Sequence, residues 1–436
     1  MTDNFVLTVP HRHAIYLPAV NSSYAKVGRH RVTPERQLPG GLTVSDFEFW
    51  TGNSKLWNHK FILHSIGNYS VGADTRGPLF SRPSGAFTIV GDSGGYQLGK
   101  NRFKGFGGLT SGMSSQSAVN VWNSRYDEKR WIINWLEHYC DYAMTIDMPL
   151  WATQSRGSES PFHRCSEVEL LALTNDNLQL IQQLTNGKTK WLNVVQATNL
   201  EDGLRWWNGI KWFRHGGWSL GGAAGWRGGL YIMLNILLTM RDDHAFEAGQ
   251  DWLHVLGVSQ TKWDIFLTAI QNGLRCTNPS LQVSCDSATA FDLGGRFDKY
   301  ALSPTLGEDE SDWSISFGQI EHRQSYADSN SPLDFPASSP LGDVLKMHHL
   351  VVKTEEISGR RFDTLSNLML INHNVWTYLD ASRRANSAAF ASVPRKIPQA
   401  YARTIDIIGD AFSRESWSDF LLKERPALDA VARHQS

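Results

Sequence analysis

Two aspartates, Asp92 and Asp286, each follow a short apolar run of the chain. Asp92 is flanked by small residues in segment 91–97, Gly-Asp-Ser-Gly-Gly-Tyr-Gln, and Asp286 is flanked by Cys and Ser. Two carboxylates that face each other suit chemistry at a glycosidic bond, because one can act as nucleophile and the other as acid and base. For each residue alone, a capping aspartate in a tight turn or an Asx turn at a strand end is an equally simple interpretation.

Other side chains after apolar runs could hold a flat heteroaromatic ring. Gly94 lets a ligand approach the backbone, and Tyr96 could stack on a ring. Asp147 and Gln196 together offer acceptors and donors that match the Watson–Crick edge of guanine. A salt bridge at Asp147, or a buried amide at Gln196 that the protein itself satisfies, remains an alternative.

The elements that position these residues are short apolar runs that end in small or polar residues. Helix-like stretches, with apolar residues three and four positions apart, lie between and after them. The seven apolar runs are residues 61–66, 87–90, 142–146, 191–195, 218–220, 252–256 and 281–284. The helix-like stretches are residues 117–139, 167–184, 263–272, 363–382 and 400–422.

Strand, polar end and helix repeat seven or eight times, which predicts an α/β fold with a parallel sheet. We expect a (β/α)8 TIM-like barrel, with a doubly wound open sheet as the alternative. Barrel enzymes carry their active-site residues at the C-terminal ends of the strands. The residues that fall at such ends are Asp92, Asp147, Gln196, Gly221, Gly222 and Asp286.

Composition changes near residue 303. Acidic residues, Ser, Pro and Gly dominate residues 303–342, which is typical of a long loop or insertion. The predicted organisation is a barrel core over residues 1–302, this insertion within 303–345, and C-terminal helices over 346–436 that complete and cover the barrel.

The overall composition bounds the partners and the compartment. The 436 residues carry 42 Lys+Arg against 43 Asp+Glu, so a nucleic-acid partner would have to meet a local basic patch. The four cysteines form no C-x-x-C pair, and the first residues lack the pattern of a signal peptide. The longest apolar run, residues 230–240, is too short to span a membrane. We therefore expect a soluble cytoplasmic protein with reduced cysteines and no membrane partner.

The order and spacing of these segments resemble the tRNA-guanine transglycosylase superfamily over roughly residues 60–290, with a fainter similarity near 365–385. Segment 92–97 resembles the D-S-G-G-[FY]-Q signature of that family, and this is the most specific match. Asp286 lies where the family has its nucleophilic aspartate. Weaker matches are Ile146-Asp147 to F-D-E, Val195-Gln196 to V-Q-G, Leu220-Gly221-Gly222 to I-G-G, and Leu256-Gly257-Val258 to M-G-V.

The resemblance implies a role for each of these residues on a (β/α)8 barrel. Asp286 would attack C1′ of a nucleoside to form a covalent glycosyl-enzyme, and Asp92 would serve as general acid and base. Tyr96 and Leu256 would sandwich the base. The residues that would bind the base are Ser93, Gly94, Tyr96, Asp147, Gln196, Gly221, Gly222 and Leu256.

Three departures from the family pattern narrow the resemblance. The zinc motif C-x-C-x-x-C is absent, and His373 lacks the cysteines that accompany it in the family, so we expect a structural His373 and no metal cofactor. The P-T-R-x-x-R pattern after the nucleophile is also absent. Segment 223–226, Ala-Ala-Gly-Trp, stands where bacterial tRNA enzymes have a Glu that helps to accept an aminomethyl group.

These departures resemble the DNA 7-deazaguanine transglycosylases, a branch found in DNA-modification systems of bacteria and their phages. This implies DNA and a free 7-deazaguanine base as partners, with 7-cyano-7-deazaguanine favoured because the missing Glu suits a neutral nitrile. Other proteins of such a system are further candidate partners. A base inside a duplex would have to be flipped or melted out.

Phosphate contacts are expected at basic segments near the site. The best candidates are Lys100, Arg102 and Lys104, which follow the signature, and Arg29-His30-Arg31 and Arg383-Arg384 are further ones. A solvated charged face is the alternative for each.

Three other functions remain open. A tRNA transglycosylase is disfavoured by the missing motifs, and a non-catalytic partner subunit by the retained Asp92 and Asp286. A barrel glycoside hydrolase would use the same carboxylates with water as the acceptor, and the glycine-rich, base-sized site argues against it.

Overall fold

The structure is a computed structural model. It describes residues 11–29, 38–73, 78–81, 85–222, 225, 228–247, 249–321, 323–327, 332–351, 362–391 and 396–432.

Eight parallel strands form a closed barrel in chain order, each hydrogen-bonded to the next, and β8 pairs with β1. The predicted TIM-like barrel is therefore confirmed, and the open sheet is excluded. The seven apolar runs correspond to β2 to β8, whereas β1 was not predicted. The strands are β1 (Ile15–Val20), β2 (Phe61–Ser65), β3 (Thr88–Asp92), β4 (Tyr142–Met144), β5 (Lys190–Gln196), β6 (Gly217–Gly221), β7 (Trp252–Val255) and β8 (Gln282–Ser287).

Helices surround the barrel and follow most of its strands. The stretch 167–184 is one helix as predicted, and its start is fixed by a capping box in which Ser166 and Glu169 bond each other's backbone N–H. The stretches 117–139 and 400–422 are each divided into two helices, the first of them at Arg125, whose ψ of 50° is not helical. The helices are α1 (Gly95–Gly99), α2 (Ser115–Asn123), α3 (Tyr126–Tyr139), α4 (Glu167–Leu184), α5 (Leu200–Ile210), α6 (Gly229–Asp242), α7 (Thr261–Leu274), α8 (Thr289–Arg296), α9 (Met347–Leu350), α10 (Thr364–Ala389), α11 (Gln399–Ser413) and α12 (Ser418–Ala432).

The barrel interior is apolar at its N-terminal end and polar at its C-terminal end. Alternate residues of each strand point inward, so one face of every strand fills the barrel. The rings of Tyr142 and Trp252 lie 4.3 Å apart near the strand starts. The rest of this buried cluster is Ile15, Leu17, Phe61, Leu63, Val90, Met144, Leu192 and Val194. Further along the same inward faces stand Ser65, Asp92, Gln196, His254 and Asp286.

The segment after β8 is more structured than a long loop. Strands β9 (Lys299–Leu302) and β10 (Ser316–Gln319) pair antiparallel, and the segment between them buries Trp313 at 3% exposure. Apolar side chains spaced widely among acidic ones, Trp313, Phe335 and Leu341 among them, were enough to anchor it. Helix α10 packs against α8 and α7, on the outside of the barrel.

All four cysteines are free, with Cys276 exposed and the other three buried. Within the described ranges, no helix is both long enough and apolar enough to cross a membrane.

Candidate functional site

Asp286 lies near the C-terminal end of β8 with one carboxylate oxygen fixed. Its Oδ1 accepts hydrogen bonds from the backbone N–H of Gly257 at 2.9 Å and from Nε2 of His254 at 3.2 Å. Gly257 can present its N–H because it adopts a φ of +72°, which glycine tolerates. No described residue donates to the other oxygen, Oδ2. The result is an oriented carboxylate with one oxygen available for reaction.

His254 holds Asp286 through a chain of hydrogen bonds inside the barrel. Its Nδ1 lies 2.8 Å from the hydroxyl of Ser284, which also accepts from the indole of Trp252 at 2.8 Å. Because an ionised Asp286 can only accept, the imidazole donates from Nε2 and its Nδ1 accepts from Ser284. His254 is fully buried, so this chain fixes both the tautomer and the ring orientation.

The sequence analysis did not select His254 or Ser284. A signal was present, since both occupy inward positions of strands, at the same period-two spacing as Asp286. A polar residue on an inward face at the C-terminal half of a barrel strand is worth selecting for that reason alone.

Asp92 ends β3 on the same polar rim. It accepts a hydrogen bond from the N–H of Gly94 at 3.2 Å and another from the Ser65 side chain. Burial raises the pKa of Asp92, and the negative charge of Asp286 raises it further, whereas these hydrogen bonds and His254 lower it. The charge of Asp286 is thus close enough to raise the pKa of Asp92, and the surroundings of Asp92 disfavour its ionised form relative to an exposed aspartate.

Asp147 and Gln196 are in direct contact, as their proposed joint role requires. The Gln196 side-chain amide donates to Oδ2 of Asp147 at 2.5 Å. Burial raises the pKa of Asp147 to about 7, with the nearby charge of Asp92 adding to the effect and the Gln196 hydrogen bond opposing it. A Cβ atom on Gly221 would lie 2.7 Å from the Gln196 amide nitrogen, so only glycine at that position leaves room for Gln196.

Steric contacts fix the conformation of the turn in segment 91–97. Gly94 has a φ of +87°, and a Cβ there would lie 2.7 Å from the Phe103 ring and 3.0 Å from Gly67. The Ser93 hydroxyl donates to the carbonyl oxygen of Thr145 at 3.0 Å, which ties the turn to the next strand. Gly94 and Ser93 therefore both stabilise the conformation of the turn at the rim.

Tyr96 and Leu256 belong to opposite sides of the rim. Tyr96 is 58% exposed, and its ring centroid is 5.8 Å from that of Trp151. Leu256 follows β7 and packs on the apolar barrel cluster. Gly222 has a φ of +84° just after β6. An exposed aromatic face beside the carboxyls offers a stacking surface for a planar ring.

The three basic residues after the signature differ in their surroundings. Lys100 lies 5.3 Å from the centroid of the Trp151 ring, and its ammonium donates to the carbonyl oxygen of Arg156 at 3.4 Å. Arg102 and Lys104 are exposed and form no ion pair within the described part of the chain. These two remain available for an anionic partner.

The other predicted phosphate contacts are Arg383-Arg384 and Arg29-His30-Arg31. Arg383 and Arg384 both lie near the Asp380 carboxylate, at 2.7 and 3.6 Å, and Arg384 also donates to the Pro304 carbonyl oxygen. Their charges are partly used within the protein. The segment Arg29-His30-Arg31 has no described side chains, and segment 223–226 is described only at Gly225.

His373 is engaged through both ring nitrogens. Its Nδ1 lies 2.8 Å from the Ser339 hydroxyl and its Nε2 lies 2.9 Å from the carbonyl oxygen of Ala301. Burial lowers the pKa of His373 to about 4, which keeps the ring neutral. The imidazole therefore links α10 to Ala301 in β9 and to Ser339, which follows β10. Among the residues that the structure describes, no cluster of three or more His, Cys, Asp or Glu side chains suits a metal ion.

No protein-family model matches this chain, and no curated protein matches it with significance.

Proposed function

We propose that this chain exchanges guanine in DNA for a 7-deazaguanine base, with 7-cyano-7-deazaguanine as the favoured incoming base, through a covalent glycosyl–aspartyl intermediate. One observation carries the proposal. Asp286 has one oxygen held by two donors and the other without a donor, and it shares the rim with a second carboxyl, Asp92, whose environment favours protonation. A nucleophile and an acid set apart by their surroundings are what a retaining two-step exchange requires.

In the first step, Oδ2 of Asp286 attacks C1′ of the nucleotide and the bond from C1′ to N9 of guanine breaks. The electron pair of that bond leaves with guanine, and the proton of Asp92 neutralises the departing base. The products are free guanine, an acylal-type ester between C1′ and Asp286, and an ionised Asp92.

In the second step, the incoming base reverses the chemistry. Asp92 removes the proton from N9 of the 7-deazaguanine, N9 attacks C1′, and the ester bond to Asp286 breaks. Both carboxyls return to their starting protonation states, and the sugar keeps its configuration after two inversions.

Asp147 and Gln196 support recognition of a purine edge. An ionised Asp147 can accept from N1–H and the exocyclic amine of guanine, and an amide such as Gln196 can donate to O6. All three of these groups, which a 7-deazaguanine shares with guanine, would therefore have a hydrogen-bond partner, while position 7 is left for a substituent.

DNA rather than tRNA is proposed because the zinc motif and the P-T-R pattern are missing and because Arg102 and Lys104 are exposed and unpaired beside the signature. The test is release of labelled guanine already incorporated in duplex DNA, single-stranded DNA or tRNA, each offered 7-cyano-7-deazaguanine. Release from DNA alone supports the proposal, and release from tRNA alone replaces DNA by tRNA. No release from any polymer contradicts a self-sufficient enzyme.

A further inference from the structure

A cavity of about 260 Å³ is lined in part by residues that follow the C-terminal ends of β7 and β8. Ser259 on its wall follows Val258, whose N–H donates to the carbonyl oxygen of Asp286 at 2.8 Å. Thr289, three residues after Asp286, lines the cavity as well. The opposite wall comes from the segment between β9 and β10. The cavity therefore lies between the C-terminal ends of β7 and β8 and the segment between β9 and β10, which departs most from the family pattern.

The lining combines aromatic faces with hydrogen-bonding groups. Tyr378 and Tyr401 are 5% and 2% exposed, and no described residue hydrogen-bonds to either hydroxyl. Trp313 is buried with its ring 5.3 Å from that of Tyr401, whereas Phe317 is 49% exposed at the entrance. Each hydroxyl can donate to and accept from a polar occupant of the cavity.

Two opposite charges complete the cavity. Lys262 is 7% exposed as a residue, and the Glu310 carboxylate lies close enough to favour the charged form of the Lys262 ammonium. A phosphate would meet repulsion from Glu310, whereas a neutral ring with both donors and acceptors at its edge would meet a partner for each. The volume suits one such ring, and aromatic walls suit its faces.

We infer that this cavity binds a nucleobase, and that the base is the neighbour of the exchanged guanine in the same DNA strand. The inference rests on the proposed function for its choice of DNA. It would make the flanking base a determinant of which guanines are exchanged, read by the two phenol hydroxyls and the Lys262–Glu310 pair while Phe317 stacks at the entrance.

The experiment measures binding of the full chain to single-stranded oligonucleotides that carry 2-aminopurine on the 5′ or the 3′ side of one guanine. Stacking on aromatic rings quenches 2-aminopurine, so we expect quenching at one of the two positions. Phe317→Ala should weaken binding about fivefold to a hundredfold, the range for loss of one base–aromatic stack. Tyr378→Phe with Tyr401→Phe should weaken it about fivefold or more, since two hydrogen bonds are lost while both rings remain.

An abasic site at the flanking position separates this inference from a general loss of affinity. The double tyrosine variant should bind the abasic oligonucleotide as the unchanged protein does, and Tyr126→Phe, which removes an exposed hydroxyl on α3, should have no effect on either oligonucleotide. Equal weakening with and without the flanking base would overturn the inference, as would an absence of quenching at both positions.

Free guanine distinguishes the two sources of a base. If the double variant loses binding of free guanine in equilibrium dialysis but keeps that of the oligonucleotide, the strand assignment is overturned. Label exchange from DNA is scored separately, so exchange without flanking-base quenching leaves the proposed function standing, and quenching without exchange leaves the cavity assignment standing.

Discussion

Two regions of this barrel each contain a buried aspartate whose pKa burial raises to about 7. Asp147 lies at the polar rim, where it accepts from Gln196 and feels the charge of Asp92. Asp264 lies on α7 in the layer outside the barrel, where Ser382 on α10 and the thiol of Cys285 are its hydrogen-bond partners. Burial raises the pKa of both carboxyls to a similar value, but Asp147 has a second carboxyl, Asp92, near it, whereas the partners of Asp264 are a hydroxyl and a thiol.

The difference shows that a raised pKa does not by itself mark a functional residue. Desolvation raises the pKa of any buried carboxyl, whatever the purpose of the burial. What separates the rim from the outer layer is that three carboxyls from β3, the end of β4 and β8 converge there with different partners. If the rim is the reaction site, substitutions in the two regions should differ in their effect on activity and agree in their effect on stability.

The largest expected effect comes from Asp286. We expect Asp286→Ala to reduce base exchange on the order of 10⁴-fold or more, because the glycosyl acceptor of the first step is lost. Covalent trapping of an oligonucleotide should also be lost, with an unchanged circular dichroism spectrum. Asp264→Asn is the matched control, and its exchange rate should stay close to that of the unchanged protein. Full activity in Asp286→Ala would end the assignment of the rim as the reaction site.

Asp92 comes next. Asp92→Asn should lower kcat on the order of 10² to 10⁴-fold, since neither the departing nor the incoming base exchanges a proton with an amide. A substrate whose leaving base needs no protonation should restore much of the first step, measured as single-turnover formation of the covalent adduct. If such a substrate gains nothing, Asp92 has a role other than acid and base.

His254 should give an intermediate effect that falls on kcat. His254→Phe removes the donor to Asp286 within the same buried volume, and misplacing the nucleophile should cost on the order of 10 to 100-fold. The KM for the free base should change little, because the proposal assigns the base edge to Asp147 and Gln196 and not to His254. His254→Gln, which keeps an N–H donor, should recover part of kcat. An equal loss in KM and kcat would indicate a general structural defect.

The smallest effect is the most direct test of the comparison. Binding guanine favours ionised Asp147, so affinity for the free base should fall up to about tenfold per pH unit as the pH drops below about 7. Isothermal titration across pH 5.5 to 8.5, conditions set by that pKa, measures it. Asp264→Asn should leave this profile unchanged, whereas Asp147→Asn should flatten it. A flat profile in the unchanged protein would separate Asp147 from base binding.

Stability should treat the two aspartates alike. A carboxyl with a pKa of about 7 in the folded chain and about 3.9 in the unfolded chain stays protonated up to a higher pH in the folded chain. Its contribution to stability is therefore present at low pH and lost as pH rises through that window. Both Asp147→Asn and Asp264→Asn should raise Tm more at pH 8 than at pH 5, relative to the unchanged protein. Thermal unfolding at the two pH values is the check.

The strands of the barrel were largely readable from the sequence, because seven of them are apolar runs that end in small or polar residues. Strand β1 was not predicted because Pro18 interrupts its apolar pattern, and proline is unusual inside a sheet. The division of residues 117–139 into two helices was not predicted either, because the helical spacing of apolar residues continues through the break at Arg125. The ordered segment after β8 was hidden by its acidic composition, although a few widely spaced aromatic side chains anchor it.

The positions of the carboxyls in the candidate site could be predicted from the sequence, but the residues that hydrogen-bond to them could not. Asp92, Asp147, Gln196 and Asp286 each end or follow a strand, and that position is visible in the sequence. The pairing of His254 with Asp286 joins residues 32 positions apart, and it depends on the inward register of β7 against β8. That register is set by the pairing of β7 with β8, which the two apolar runs do not specify by themselves.

Closure of the barrel also has a consequence for the newly made chain. Leu17 in β1 is the strand neighbour of Asp286 in β8, so the first barrel strand along the chain pairs with the last barrel strand. At ribosomal speeds of roughly 5–20 residues per second, that edge of β1 stays without its partner for tens of seconds. An unpaired strand edge favours aggregation, so we expect the nascent barrel to need protection of the β1 edge until β8 has been made.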